Sequence, residues 1–156
     1  MQDFRTPVLV TITIPLALIV SLLFFHLLGI TINIVSLSGL VLGIGMMVDN
    51  SIVVIDNISQ HWDRGEPLKE AVPAATNEVF GPMLSSVLTT CSVFVPLIFL
   101  SGIAGSLFYD QAMAVAIGLF SSLMVSVLVI PVYYYLFYRK SPFRPTNRYL
   151  EKLAVV

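Results

Sequence analysis

The sequence predicts an all-α membrane protein with four transmembrane helices, and three observations carry that prediction. Of 156 residues, 57% are apolar and only 11% are charged. The mean hydropathy is +0.93. The charges are clustered, so that Thr6 to Val48, Val79 to Tyr109 and Gln111 to Tyr138 contain none. A soluble domain carries about 25% charge because its surface faces water, and a disordered chain needs high charge with low hydrophobicity. The length suits one modest domain. Long apolar runs without alternation are not β-barrel strands, and four in succession are not a cleaved signal peptide.

A helix needs roughly 20 apolar residues to cross a bilayer, so the uncharged stretch that opens the chain must fold back once. Leu28-Gly29-Ile30-Thr31 is the expected break, with Asn33 near the next start. The expected spans are residues 7–28, 33–58, 80–100 and 111–138. The loop 59–79 holds Asp63, Arg64, Glu66, Lys69, Glu70 and Glu78. Within it Glu66-Pro67 opens a short helix whose face is Leu68, Val72 and Ala75, limited or kinked by Pro73. The tail, 141–156, contains Pro142 and Pro145 and then a mildly amphipathic stretch. It reads as a cytoplasmic or interfacial segment, or the start of a linker.

Four spans place both termini and the middle loop on one side. All eight basic residues lie there: Arg5, Arg64, Lys69, Arg139, Lys140, Arg144, Arg148 and Lys152. The two opposite hairpins hold none, so the positive-inside rule makes both termini cytoplasmic. Tyr133, Tyr134, Tyr135 and Tyr138, just before Arg139, form an expected interfacial belt.

Asp49 is the expensive residue. It stands inside the apolar second span, where an ionised carboxylate costs on the order of 3 kcal/mol on insertion scales. A low-dielectric setting favours the neutral carboxyl, so such a group can exchange a proton. Ser38, Leu42, Gly45, Asp49 and Asp56 share one helical face. Gly39, Gly43 and Gly45, with Ser36 and Ser38, let other backbones come close. Asp49 is therefore expected to face helices and not lipid. The plainer reading is a carboxyl that merely holds a helix contact, but intramembrane acids are functional by default. Asn50 is equally a structural hydrogen-bonding residue or a partner of Asp49.

Other residues carry less. Asp56 reads as a solvated terminal charge and His26 as an interfacial side chain. Met46 and Met47 are more often packing than soft-metal ligands, and no metal site is expected. Cys91 stands alone, without disulfide or zinc spacing. No phosphate loop, nucleophile triad or paired-carboxylate arrangement supports an enzyme. A net charge of −1 offers no field for nucleic acid.

The run from Gly43 to Asn57 resembles the fourth transmembrane helix of resistance-nodulation-division (RND) efflux permeases, whose Gly-x-x-x-Asp motif Gly45 and Asp49 match. Ile14-Pro15-Leu16, the Gly29–Asn33 hairpin, Phe94-Val95-Pro96 with Gly102 and Gly105, and Pro131 agree in order. The resemblance covers about residues 7 to 140. It implies a proton-driven antiporter of twelve membrane helices in two repeats, working as a trimer with a periplasmic adaptor and an outer-membrane channel. No cofactor is implied beyond the proton-motive force. The location implied is the bacterial inner membrane.

Asp49 matches the family's proton-binding aspartate. In the multidrug branch a second Asp follows directly, and here Asn50 stands in its place, so a two-carboxylate relay does not carry over. The relay lysine belongs to the other repeat, and no Lys occurs within the spans. The resemblance thus makes this chain a fragment, helices three to six of the first repeat. Its partners are the lipid bilayer and the rest of the permease, with the second repeat and its Lys. Two other readings are a superfamily relative that handles protein export or lipids, and a stand-alone structural membrane module.

Overall fold

A computed structural model describes residues 5–99 and 101–139. Four helices follow in order: α1 (Arg5–Leu28), α2 (Ile34–Asp63), α3 (Leu68–Ile98) and α4 (Gly102–Tyr138). Each contains a stretch long and apolar enough to cross a membrane. Among the described residues there is no strand. The fold is that of an all-α membrane protein.

The turns follow from local chemistry. Residue 29 adopts φ +67°, a conformation that only glycine takes without strain, so α1 ends there. The Ile30 amide bonds back to the Phe25 carbonyl at 3.0 Å, satisfying a terminal carbonyl of α1. Asn33 then opens α2 with a reciprocal cap. Its Oδ1 accepts from the Ser36 amide at 2.7 Å, and Ser36 Oγ accepts from the Asn33 amide at 2.9 Å. Gly65 and Gly102 take positive φ at the other two connections.

Two helices begin earlier than the charge gaps suggest. α3 starts at Leu68, not Phe80, because the expected short loop helix and the third span are one continuous helix. Pro73, Pro82 and Pro96 lie inside it without ending it. Pro73 is on the outer side, while Val72, Ala75 and Thr76 face inward and hold the helix against its neighbours. α4 starts at Gly102, not Gln111. Asp110 therefore lies within α4 and not in a hairpin. Charges mark where a chain leaves the bilayer, but a helix continues as long as its backbone bonds and packing allow. The expected tail, 141–156, lies outside the described residues.

α4 is the hub. It packs against each of the other three helices, while among the described residues α1 and α3 do not meet. α2 and α4 form the central pair, and Gly39 explains how closely they approach. A Cβ built there would lie 2.7 Å from the Gln111 carbonyl oxygen and 3.0 Å from the Ala114 Cβ. Gly43 faces Gly118 across the same seam, its would-be Cβ 3.7 Å from the Gly118 Cα. Small residues matter here because lipid tails are as apolar as Leu, so helices adhere through close contact and hydrogen bonds.

Apolar side chains line the outside as well. Ile19, Leu23 and Leu27 on α1 and Val93 on α3 are all more than half exposed, as suits a surface facing acyl chains.

Candidate functional site

Helical geometry splits the central stretch of α2 into two faces with opposite roles. The inner face carries Asn50 and Ser51. Asn50 Nδ2 donates to Ser122 Oγ of α4 at 3.2 Å. Ser51 Oγ lies 3.1 Å from Thr13 Oγ1 of α1 and 3.2 Å from Ser126 Oγ of α4. Three helices are thereby joined by hydroxyls at one level, and Ser51, Thr13, Ser122 and Ser126 are all buried. Each such bond contributes about 0.6 kcal/mol inside a membrane protein, so their main effect is to fix rotation and register.

The outer face carries Ser38, Leu42, Gly45, Asp49, Ile52, Val53 and Asp56, and every one of them is exposed. The shared face expected from their spacing is real, but its surroundings are not those expected. Among the described residues no helix covers Asp49. Gly45, expected to let a neighbouring backbone approach, has nothing within 4 Å of where its Cβ would be. Of the three glycines expected to pack, Gly39 and Gly43 do so, because successive helical positions turn by about 100° and these two point at α4 while Gly45 does not. Nor does Asn50 share the face of Asp49, since its amide is turned inward to Ser122. Met46 is partly buried against the core.

Asp56, two turns along the same face, accepts a hydrogen bond from Gln60 Nε2 at 2.9 Å. His26 is exposed near the end of α1. Neither meets Asp49.

The opposite end of the bundle from Gly29 holds a second polar and aromatic assembly. His61 of α2 sits between two carboxylates, with Nδ1 2.8 Å from Glu66 Oε2 and Nε2 2.8 Å from Glu78 Oε2. Asn57 Nδ2 donates to the Ala75 carbonyl at 2.9 Å. These contacts tie α2, the connecting turn and the start of α3 together. Beside them, Trp62 meets Tyr138 edge-on with centroids 5.0 Å apart, and Tyr138 stacks on Tyr134 at 4.5 Å. Tyr134 and Tyr138 are buried, so the expected four-tyrosine belt is only half a belt. Positions 134 and 138 are one helical turn apart and point at α2, leaving Tyr133 and Tyr135 to face outward.

The hydroxyl seam and the His61 clasp were not singled out from sequence. The seam had a signal, since Ser122 and Ser126 recur at i and i+4 in an otherwise apolar span and Ser51 follows Asn50. His61 had none, because its partners come from separate segments.

A bundle of membrane-length helices with a polar inner seam and one uncovered carboxylate defines a segment of a multi-pass helical membrane protein. Comparison with known proteins narrows that class. The AcrB/AcrD/AcrF family profile matches residues 1–153. The chain belongs to that family, the RND permeases. It is 37% identical over 144 residues to the swarming motility protein SwrC of Bacillus subtilis, covering 90% of this chain and 14% of SwrC. It is 31% identical to the multidrug resistance protein MdtC of Edwardsiella ictaluri, over 85% of this chain and 13% of MdtC. An uncharacterized transporter of Haemophilus influenzae is 33% identical over 83% of this chain and 13% of its own length. The chain thus spans about one seventh of the length of the curated relatives it matches.

Proposed function

We propose that the chain is the membrane segment of a proton-driven efflux permease, in which Asp49 takes up and releases the coupling proton. One observation carries this reading. An ionisable carboxyl stands uncovered on the exposed face of a 30-residue apolar helix whose opposite face packs against the other helices. Leaving it against acyl chains would cost on the order of 3 kcal/mol when charged. A second helical unit laid over Ser38, Gly45 and Asp49 would remove that cost and sense each change of protonation.

In this reading that unit is the second repeat of the permease, with its relay Lys. Protonation cancels the attraction between carboxylate and ammonium, so the two halves shift against one another. Asn50 does not titrate. It holds the rotation of α2 through Ser122, and so keeps Asp49 aimed at the second half. The driving force is the proton-motive force, about 2.3 kcal/mol per proton at 100 mV. The cargo is a small molecule, as the name of the MdtC relatives suggests. The setting is the bacterial inner membrane, with both termini cytoplasmic by the distribution of Lys and Arg. The whole permease works as a trimer with a periplasmic adaptor and an outer-membrane channel.

The test is Asp49→Asn in the full-length permease. The expected result is loss of substrate-coupled proton flux in inverted vesicles, with insertion and abundance unchanged. Flux equal to the parent's would sink the relay.

A further inference from the structure

We propose that the cleft at the Trp62 end of the bundle binds the headgroup of an anionic phospholipid. The cleft is a cavity of about 460 Å³ where the end of α2, the start of α3 and the end of α4 converge. Its walls combine Trp62, Leu68 and Tyr138 with Tyr135 and two cations, Lys69 and Arg139. Among the described residues neither cation forms an ion pair. None of the nearby carboxylates, Asp63, Glu66 or Glu70, lines the cavity. Glu66 is turned away to His61. The charge presented is therefore positive only.

Three features select a lipid over a soluble anion. The cleft sits at the ends of membrane-length helices, the depth at which a headgroup lies. Its indole and phenol rings are the side chains that favour the boundary between acyl chains and water. Along the same flank of α4, Tyr135 is followed by the exposed Val132 and Leu128, offering an apolar path for an acyl chain. A basic pocket between membrane helices is the kind of site that takes anionic headgroups. The cleft is also held open. The Trp62, Tyr138 and Tyr134 rings brace one wall, and the His61 clasp fixes the turn that forms another. The first turn of α3, which no side chain caps, adds its partial positive charge to the two cations.

Trp62 is the single tryptophan of the chain, so it reports directly on the cleft. The chain is reconstituted into vesicles containing dibrominated phosphatidylglycerol or dibrominated phosphatidylcholine, and quenching of Trp62 is compared across mole fractions. Two cations near the surface predict a preference for the anionic lipid on the order of thirtyfold. K69Q/R139Q should abolish the preference while keeping the helical circular dichroism. K69R/R139K should retain it, which separates charge from packing. R64Q, which removes an exposed cation outside the cleft, should also retain it. Equal quenching by the two lipids would overturn the proposal, as would a preference that survives K69Q/R139Q or that R64Q removes equally. Displacement of the brominated phosphatidylglycerol by millimolar inorganic phosphate would likewise overturn it, because the site would then hold small anions.

Discussion

Asp49 and Asn50 are neighbours in the chain and face opposite surroundings. Asn50 donates to Ser122 at 3.2 Å inside the α2–α4 seam, while Asp49 is exposed on the far side of the same helix. The inner contact determines where the outer carboxyl points. Substitutions at the two positions should therefore separate folding from transport. Asn50→Ala should lower the thermal stability of the chain in detergent by about 0.5–1 kcal/mol and leave partial transport in the full-length permease. Asp49→Asn should leave stability unchanged and remove transport. Paired thermal melts and vesicle flux measurements check both, and equal losses at both positions would contradict the division of roles.

The glycines make a second contrast. Gly39→Ala would place a methyl group 2.7 Å from the Gln111 carbonyl oxygen, a backbone atom that yields only if α2 and α4 move apart. The expected cost is about 1–3 kcal/mol, read as a lower melting temperature. Gly45→Ala meets nothing within 4 Å and should leave the stability of this chain unchanged. In the full-length permease the same substitution should impair transport, since it adds bulk to the face that receives the second half.

Asn33 performs two tasks at the Gly29 end, and substitutions can divide them. Its Oδ1 caps α2, and its Nδ2 donates to the Asp110 carboxylate of α4 at 2.7 Å. Asn33→Ser keeps a capping oxygen but loses the bridge, as does Asp110→Ala. Asn33→Ala loses both and should cost about 1–2 kcal/mol, more than either partial variant. Thermal melts of the three variants would show the order.

At the other end, Tyr134 lies 2.9 Å from Ser59 Oγ through its hydroxyl and stacks on Tyr138 through its ring. Tyr134→Phe keeps the ring and should cost about 1 kcal/mol. Tyr134→Ala opens a cavity in the aromatic cluster and should cost about 3–5 kcal/mol. The Trp62 emission spectrum should move to longer wavelength in the alanine variant only.

Much of this is legible in the sequence alone. The turn at Gly29 could be read because an uncharged stretch twice the length of one span must reverse, and glycine is the residue that reverses it. The Gly-x-x-x-Asp run could be read because a carboxylate inside an apolar helix is costly enough to be rare. The helical face shared by Gly45, Asp49 and Asp56 followed from a period of 3.6 residues. What covers that face did not follow. Periodicity groups residues without saying which group meets a neighbour, and of the three glycines expected to pack, Gly39 and Gly43 do while Gly45 does not.

The sequence by itself determined that the chain is four apolar helices, that the first of them reverses at Gly29, and that one carries an acid. Those properties depend on composition and spacing, which act locally along the chain. Only the tertiary structure decided that α4 is the centre, that Tyr134 and Tyr138 are buried, and that Asn50 turns inward while Asp49 remains uncovered. Those properties depend on which helix lies beside which. That choice is made by contacts between residues far apart in sequence, such as the approach of Gly39 to Gln111, which no local pattern contains.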